Sequence, residues 1–136
     1  MYEKKPLECK VVLIGETRVG KTSIINRYIS DNFSSSLSPT PGASFTAKTV
    51  FIKDYNQSIK FEIWDTAGQE KYRSLAKVFY TNRDAIILIY DITERRSFEE
   101  IKKYWINDIK ANISTKPSNS QIYNIIIFYS ICTRGK

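Results

Sequence analysis

The segment GETRVGKT, residues 15–22, is a complete Walker A phosphate loop. It follows the apolar run 10–14 and opens into a helical pattern over 23–29, which is the strand–loop–helix context that this motif requires. Gly15 and Gly20 permit backbone angles that turn N–H groups inward onto phosphate oxygens, and the helix dipole favours the same anion. Lys21 is expected to reach the terminal phosphates, and the Thr22 hydroxyl to bind Mg²⁺. A glycine turn that binds nothing is the alternative, and the match at all fixed positions argues against it.

A second motif, DTAGQE at 65–70, directly follows an alternating run that predicts a strand over 59–64. Asp65, at the end of this strand, is expected to hold Mg²⁺ through a water molecule. Gly68 can bring its N–H close to a γ-phosphate, and Gln69 can orient a water for in-line attack. Such a motif by itself is usually only a turn. Its pairing with an upstream Walker A loop indicates a nucleotide-hydrolysing switch.

These motifs make the chain resemble the Ras superfamily of small GTPases and, within it, the Rab family. The matching segments are 15–22, WDTAGQEKYRSL at 64–75, IYDIT at 89–93, and PTPGASF at 39–45, which is most similar to switch I of the early-endosomal branch. The resemblance covers about residues 8–130. It implies an α/β, three-layer P-loop NTPase fold with a mostly parallel sheet and one antiparallel hairpin strand. It also implies a GTP/GDP switch with Mg²⁺-dependent GTP hydrolysis that recruits effectors to vesicle membranes.

The resemblance assigns roles to individual residues. Thr40 corresponds to the switch I threonine that joins Mg²⁺ and senses the γ-phosphate, Thr22 to the other protein ligand, and Asp65 to the holder of a metal-bound water. Phe33 corresponds to the aromatic residue that covers the guanine, and Gln69 to the catalytic residue. The remaining nucleotide contacts are expected from the loop and from switch II: Gly15, Arg18, Val19, Gly20, Lys21, Ser23 and Gly68.

Further resemblance concerns partners. Phe45, Trp64 and Phe79 fall at the aromatic trio that Rabs present to effectors, although the family more often has Tyr at the third position. Ordinary core or hairpin packing is the alternative for each of them. Switch I offers no arginine for catalysis, so fast hydrolysis is expected to need one from a GTPase-activating protein. Exchange factors are the other expected regulators.

Two positions depart from the family within the switch and the loop. Pro41 follows Thr40 where the family usually has Ile, and proline favours extended angles at Thr40 and removes a backbone donor. The metal contact of Thr40 is still expected, with an altered order–disorder exchange of the loop. Thr17 occupies a loop position that is small in the family, and its effect on hydrolysis is left open.

The last residues, ICTRGK at 131–136, stand where the family has the guanine-reading Gly-Asn-Lys-x-Asp motif. The N–H groups of guanine need a hydrogen-bond acceptor. The side chains of Arg134 and Lys136 have none, and the thiol of Cys132 is a weak acceptor. We expect guanine affinity to fall by roughly 10²–10⁴-fold. The helix–strand–helix that follows in the family is missing, so residues 1–136 are interpreted as one domain, incomplete at its C-terminus, with an apolar sheet face partly uncovered.

Composition bounds the remaining classes. The 136 residues suffice for one core, and the net charge of +7 is spread rather than clustered, so no nucleic-acid partner is expected. No signal peptide or lipid-anchor motif is recognised, and isolated Cys9 and Cys132 are typical of reduced thiols. We expect a cytoplasmic monomer. It would be peripheral on endosomal or vesicle membranes only if a longer form carries prenylated cysteines.

Alternating patterns predict the order of elements. Strands are expected over 9–14, 45–53, 59–64, 85–90 and 122–131, and helices over 22–30 and near 72–80. A turn at 54–57 is expected to join the second and third strands into an antiparallel hairpin, and the run 85–90 is predicted to be a central parallel strand because it is apolar throughout. A further helix is expected to start with a capping box of Ser97 and Glu100. Its core stripe would contain Phe98, Ile101, Trp105 and Ile109.

Two function classes stay open. The first is a Rab-type small GTPase that binds and hydrolyses GTP. The second is a non-enzymatic effector-binding module with weak, non-selective nucleotide binding. A P-loop kinase that uses ATP is less favoured, because no lid or acceptor site follows the loop and TAGQ at 66–69 is typical of the switch class.

Overall fold

A five-stranded sheet lies at the centre of the part of the chain that the computed structural model describes: residues 4–31, 43–66, 74, 78, 81 and 83–112, and the backbone of 124–130. Its strands are β1 (Leu7–Ile14), β2 (Ala43–Ile52), β3 (Gln57–Thr66), β4 (Ala85–Asp91) and β5 (Asn124–Ser130), in the order β2-β3-β1-β4-β5. β1 is parallel to β3 and β4, β4 is parallel to β5, and only β2 runs antiparallel, against β3. The predicted, mostly parallel sheet is confirmed.

The composition of the strands and of the hairpin turn agrees with their places in the sheet. β4 is apolar along most of its length because it lies between β1 and β5, with a helix layer on each face of the sheet. The β2–β3 hairpin turns through a 3₁₀ turn, Lys53–Tyr55, and Asn56, which adopts a left-handed conformation with φ of 46°. Asparagine tolerates that conformation, so the predicted turn is confirmed.

Among the described residues, one long helix packs on each face of the sheet. α1 (Lys21–Ser30) packs its Ile25 against a cluster that includes Val11, Leu13 and Ile89. The helix α2 has three consecutive segments: α-helical Arg95–Glu100, π-helical Ile101–Trp105 and α-helical Ile106–Asn112. Alternate strand residues point to opposite faces, so the second cluster combines the other strand residues with the buried stripe of α2: Val12, Ile14, Ile86, Leu88, Ile101, Trp105 and Ile109. These layers confirm the predicted fold class.

The predicted capping box at Ser97 is wrong. α2 begins at Arg95, its N-cap is Glu94, and Ser97 lies inside the first turn. The buried Ser97 hydroxyl accepts a hydrogen bond from the Asp91 N–H (2.9 Å) and donates to the Glu94 carbonyl (2.7 Å). Ser97 therefore joins the end of β4 to the start of α2, and the N-cap residue Glu94 makes no side-chain capping hydrogen bond. Phe98, predicted on the core stripe, is more than a third exposed and packs on Tyr90.

An apolar groove of about 370 Å³ lies beside α1 on its face of the sheet. Its walls come from three strands and one helix: Val11, Leu13, Ile24, Ile25, Tyr28, Phe61, Ile63, Ile87 and Ile89.

The remaining elements are described in part. Of the helix predicted near 72–80, the structure describes Ser74 and Val78, which are both helical. No helix among the described residues is long and apolar enough to span a bilayer. The carboxyl ends of β1, β3 and β4 meet at one edge of the sheet, where ligands bind in open α/β folds.

Candidate functional site

Residues 15–20 connect β1 to α1 at this edge of the sheet. Arg18 and Gly20 have left-handed conformations, with φ of 64° and 97°. Left-handed residues in a short loop curve it so that successive N–H groups converge, which creates an anion-binding concavity. Gly20 was predicted to supply a backbone conformation that favours glycine, and its positive φ confirms this. The left-handed conformation of Arg18 was not predicted, because nothing in its residue type favours it.

Gly15 serves a different purpose from the one predicted. Gly20 is the glycine with positive φ, whereas Gly15 lies where a side chain has no room. A Cβ on Gly15 would stand 2.2 Å from the carbonyl oxygen of Ile89 in β4 and 3.2 Å from Cγ2 of Val19. Glycine is therefore needed here because the loop packs directly against the backbone of the neighbouring strand.

Lys21 begins α1, and its ammonium group returns to the loop. The side chain is 5% exposed, and Nζ donates hydrogen bonds to the carbonyls of Gly15 (2.8 Å) and Glu16 (2.7 Å). Burial lowers the pKa of Lys21 from 10.5 to about 8, although the charges of Asp65 and Glu16 oppose this shift. A cation held in a place of low polarity gains most when an anion arrives, so the loop is built for a negatively charged ligand.

Thr22 and Asp65 lie 43 positions apart in the sequence and meet at the site. The Thr22 hydroxyl donates a hydrogen bond to Oδ2 of Asp65. Asp65 is 2% exposed near the end of β3, opposite Leu13 of β1, and the next residue, Thr66, donates from Oγ1 to the Leu13 carbonyl (2.7 Å). A hydroxyl and a carboxylate are hard oxygen donors, which Mg²⁺ prefers, so the residues present fit that ion.

The other loop residues differ in exposure. Val19 is 2% exposed and belongs to the core cluster under α1, so it anchors the loop. Arg18 is exposed, and Ser23 is half-buried in the first turn of the helix. α1 starts after Gly20 without a side-chain cap, so its positive end faces the loop.

One contact in the site was missed by sequence reasoning. The indole N–H of Trp105 in α2 donates to Oε1 of Glu16 in the loop, at 3.2 Å. Trp105 was predicted as a core residue, and it is one, with 1% exposure. The 89 positions that separate the two residues carry no local signal of this contact.

Two of the three predicted effector aromatics are neighbours. Phe45 of β2 and Trp64 of β3 are paired in the hairpin register, with ring centroids 5.0 Å apart. Phe45 is 49% exposed, so packing against Trp64 leaves half of it facing solvent. The Arg83 guanidinium lies over the Trp64 ring, 5.2 Å from its centroid, which the sequence did not predict.

Several predicted site residues lie outside the described residues. They are Phe33, Thr40, Gly68, Gln69 and Phe79, together with Pro41 and positions 131–136. The described part of the site therefore contains the phosphate loop, the Thr22–Asp65 pair and two of the three predicted effector aromatics.

Comparisons with known proteins agree with this geometry. A family model described as "Ras family" matches residues 10–131. "Probable Rab-related GTPase" of Acanthamoeba polyphaga mimivirus is 43% identical over 117 residues, which cover 84% of this chain and 54% of that protein. "Ras-related protein Rab-31" of Homo sapiens is 48% identical over 105 residues, 77% of this chain and 52% of that protein.

A third relative, "Ras-related protein RabC" of Dictyostelium discoideum, is 42% identical over 100 residues, which cover 74% of this chain and 50% of that protein. The chain thus spans about half the length of the curated relatives it matches.

Proposed function

Because the chain belongs to the Ras family, and to the Rab group within it, we propose that it binds GDP and GTP, hydrolyses GTP and acts as a switch in vesicle trafficking. The observation that carries the proposal is the meeting of three side chains at one loop. Lys21 holds a buried positive charge there, and Thr22 is hydrogen-bonded to Asp65 beside it. Phosphates and Mg²⁺ are the ligands that such a set recognises together.

Each described residue has a part in phosphate binding. The Lys21 ammonium has three donors and supplies positive charge to the terminal phosphates. The converging N–H groups of the loop and the uncapped start of α1 hold the remaining phosphate oxygens. Thr22 and Asp65 would hold Mg²⁺, Asp65 through a water, and the ion when bound would neutralise charge on the β- and γ-phosphates.

The remaining roles come from the family resemblance and complete the proposal. Thr40 adds a metal ligand, the Gly68 N–H contacts the γ-phosphate, Phe33 covers the guanine, and Gln69 orients the attacking water. Because phosphoryl transfer needs little covalent help from protein, positioning the water and neutralising charge account for catalysis. A GTPase-activating protein would supply the missing arginine.

The proposed partners follow from the Rab resemblance. They are exchange factors, GTPase-activating proteins and Rab effectors. The exposed Phe45, paired with the partly buried Trp64, forms a surface suited to the last group. A place on endosomal or vesicle membranes is proposed on the same resemblance.

Single-turnover GTP hydrolysis tests the enzymatic part. Phosphate release should occur on the order of 10⁻⁴ s⁻¹ without a partner arginine. Gln69→Leu should slow it at least about 10-fold without changing GDP affinity, because only the attacking water loses its orientation. The matched substitution Gln57→Leu, in the β2–β3 hairpin, should leave the rate unchanged. Equal rates for Gln69→Leu and the wild type would refute the assigned mechanism.

A second candidate function is the effector-binding module with weak nucleotide binding. Two observations favour it: the exposed Phe45 packs on Trp64 in the hairpin, and the side chains at 132, 134 and 136 offer no strong acceptor for guanine. This module would bind a Rab effector domain equally well with GDP, with a GTP analogue and without nucleotide. A preference for the GTP analogue would instead support the switch.

A further inference from the structure

We infer that Glu16 and Trp105 are positioning residues for the phosphate loop, tying it to the core through one hydrogen bond. The inference deepens the proposed function, and its consequence for nucleotide binding rests on that proposal. The contact itself, between Oε1 of Glu16 and the indole N–H of Trp105, belongs to the described structure.

Trp105 provides a fixed point for the loop. Its side chain is 1% exposed and packs with Val12, Ile14 and Leu88 on the inner face of α2. The ring of Tyr104 meets it edge-on, with centroids 5.0 Å apart. An indole enclosed in this way cannot turn without disrupting close-packed neighbours, so its N–H points in one direction.

The helix changes its winding where Trp105 lies. Residues Ile101–Trp105 form a π-helical turn, in which the Ile106 N–H bonds to the Ile101 carbonyl, five residues back. Wide turns of this kind are costly and frequently occur at functional sites. Here the wide turn ends at Trp105, the residue of α2 that reaches the loop.

Glu16 connects this fixed point to the charge that meets phosphate. Its carboxylate accepts from Trp105, while its backbone carbonyl accepts from the Lys21 ammonium at 2.7 Å. A shift of Glu16 therefore moves one of the acceptors that hold Lys21 in place. A hydrogen bond to a carboxylate is among the stronger kinds, so it can limit the conformations of a loop that has two left-handed residues.

The simpler explanation is that Glu16 only satisfies a buried indole N–H, with no consequence for the loop. The two explanations differ in what Trp105→Phe does. This variant keeps an aromatic ring in the core and removes the donor. A purely structural contact predicts lower thermal stability with unchanged loop dynamics, whereas a positioning contact predicts a looser loop.

Amide hydrogen exchange of residues 15–22, in the full chain without added nucleotide, measures the loop directly. Glu16→Ala and Trp105→Phe should each speed exchange about 10-fold, the amount expected for one charged hydrogen bond. Glu16→Gln, which keeps an acceptor oxygen, should stay within about 3-fold of the wild type. The double variant should exchange no faster than either single one, since both changes break the same bond.

Asn107→Ala, on the exposed side of α2, is the control and should leave loop exchange unchanged. The release rate of GDP is the second readout and should rise about 10-fold in the same two variants. Unchanged exchange in both variants, or multiplied effects in the double variant, would overturn the inference. If the wild type fails to bind GDP, the proposed function fails while the exchange result still decides the inference.

Discussion

Gly15 is the position where the structure makes its sharpest energetic prediction. An added Cβ would lie 2.2 Å from the Ile89 carbonyl oxygen, whereas real Cβ contacts are essentially never shorter than about 3.0 Å. Loop and strand would have to separate by nearly an ångström. Ile89 cannot move freely, because it is 1% exposed and β4 is paired on both sides, with β1 and β5.

We therefore expect Gly15→Ala to lower the free energy of unfolding by about 3 kcal/mol, at the upper end of the usual cost of overpacking. The displaced loop should also lose roughly 100-fold in GDP affinity, since a shift near 1 Å misplaces its phosphate donors. Urea denaturation and nucleotide titration measure the two effects. We expect both effects to be large because the added Cβ would clash with a backbone carbonyl, which cannot move aside as the end of a flexible side chain could.

Thr17→Ala is the matched control, because Thr17 is exposed in the same loop. It should change stability by less than about 0.5 kcal/mol. A Gly15→Ala variant within the same 0.5 kcal/mol of the wild type, with unchanged GDP affinity, would show that the loop does not rest against β4.

Three further predictions follow from other side chains. Asp65→Asn should abolish the slowing of GDP release by Mg²⁺. If the variant still releases GDP more slowly in Mg²⁺ than in a chelator, the assignment of Thr22 and Asp65 to the metal is contradicted. Because the pKa of Lys21 is lowered to about 8, the unfolded chain binds more protons between pH 8 and 10.5, and stability without added nucleotide should rise by about 2–3 kcal/mol across that range. Lys21→Met should remove this rise. If the free energy of unfolding measured in urea changes equally with pH in the two proteins from pH 7 to 10, the assignment to Lys21 is refuted. Ser97→Ala should cost about 1–3 kcal/mol in thermal or urea unfolding, because it leaves the buried Asp91 N–H without its acceptor. An unchanged midpoint would contradict that role.

The parts of the molecule that local patterns determine were predicted well. The apolar run of β4 indicated a central parallel strand, and the Walker A motif located the loop between β1 and α1. The meeting of Thr22 with Asp65 followed from the fact that parallel strands end at the same edge of a sheet. Sequence patterns succeed here because one motif fixes both the backbone path and the chemistry.

Features that depend on packing between distant elements were not predicted. The role of Gly15 depends on the Ile89 carbonyl, and the Glu16–Trp105 contact depends on the wide turn of α2. Ser97 matched a capping-box pattern, yet the N-cap of α2 is Glu94, three residues earlier, and the Ser97 hydroxyl bonds to Asp91 and Glu94 instead. Short motifs name the possible partners of a side chain, and the tertiary fold selects among them.

Equilibrium titration of the purified chain with GDP and ADP, in Mg²⁺, tests the central claim most directly. Lys21, Thr22 and Asp65 would bind phosphate and Mg²⁺ and supply no base preference, so base selectivity is a separate requirement. The proposed guanine-nucleotide switch predicts that GDP binds at least about 100-fold more tightly than ADP, a difference of about 3 kcal/mol. Lys21→Ala should abolish both affinities, since both depend on the phosphate loop. Equal affinities for GDP and ADP, or GDP binding that survives Lys21→Ala, would contradict the account.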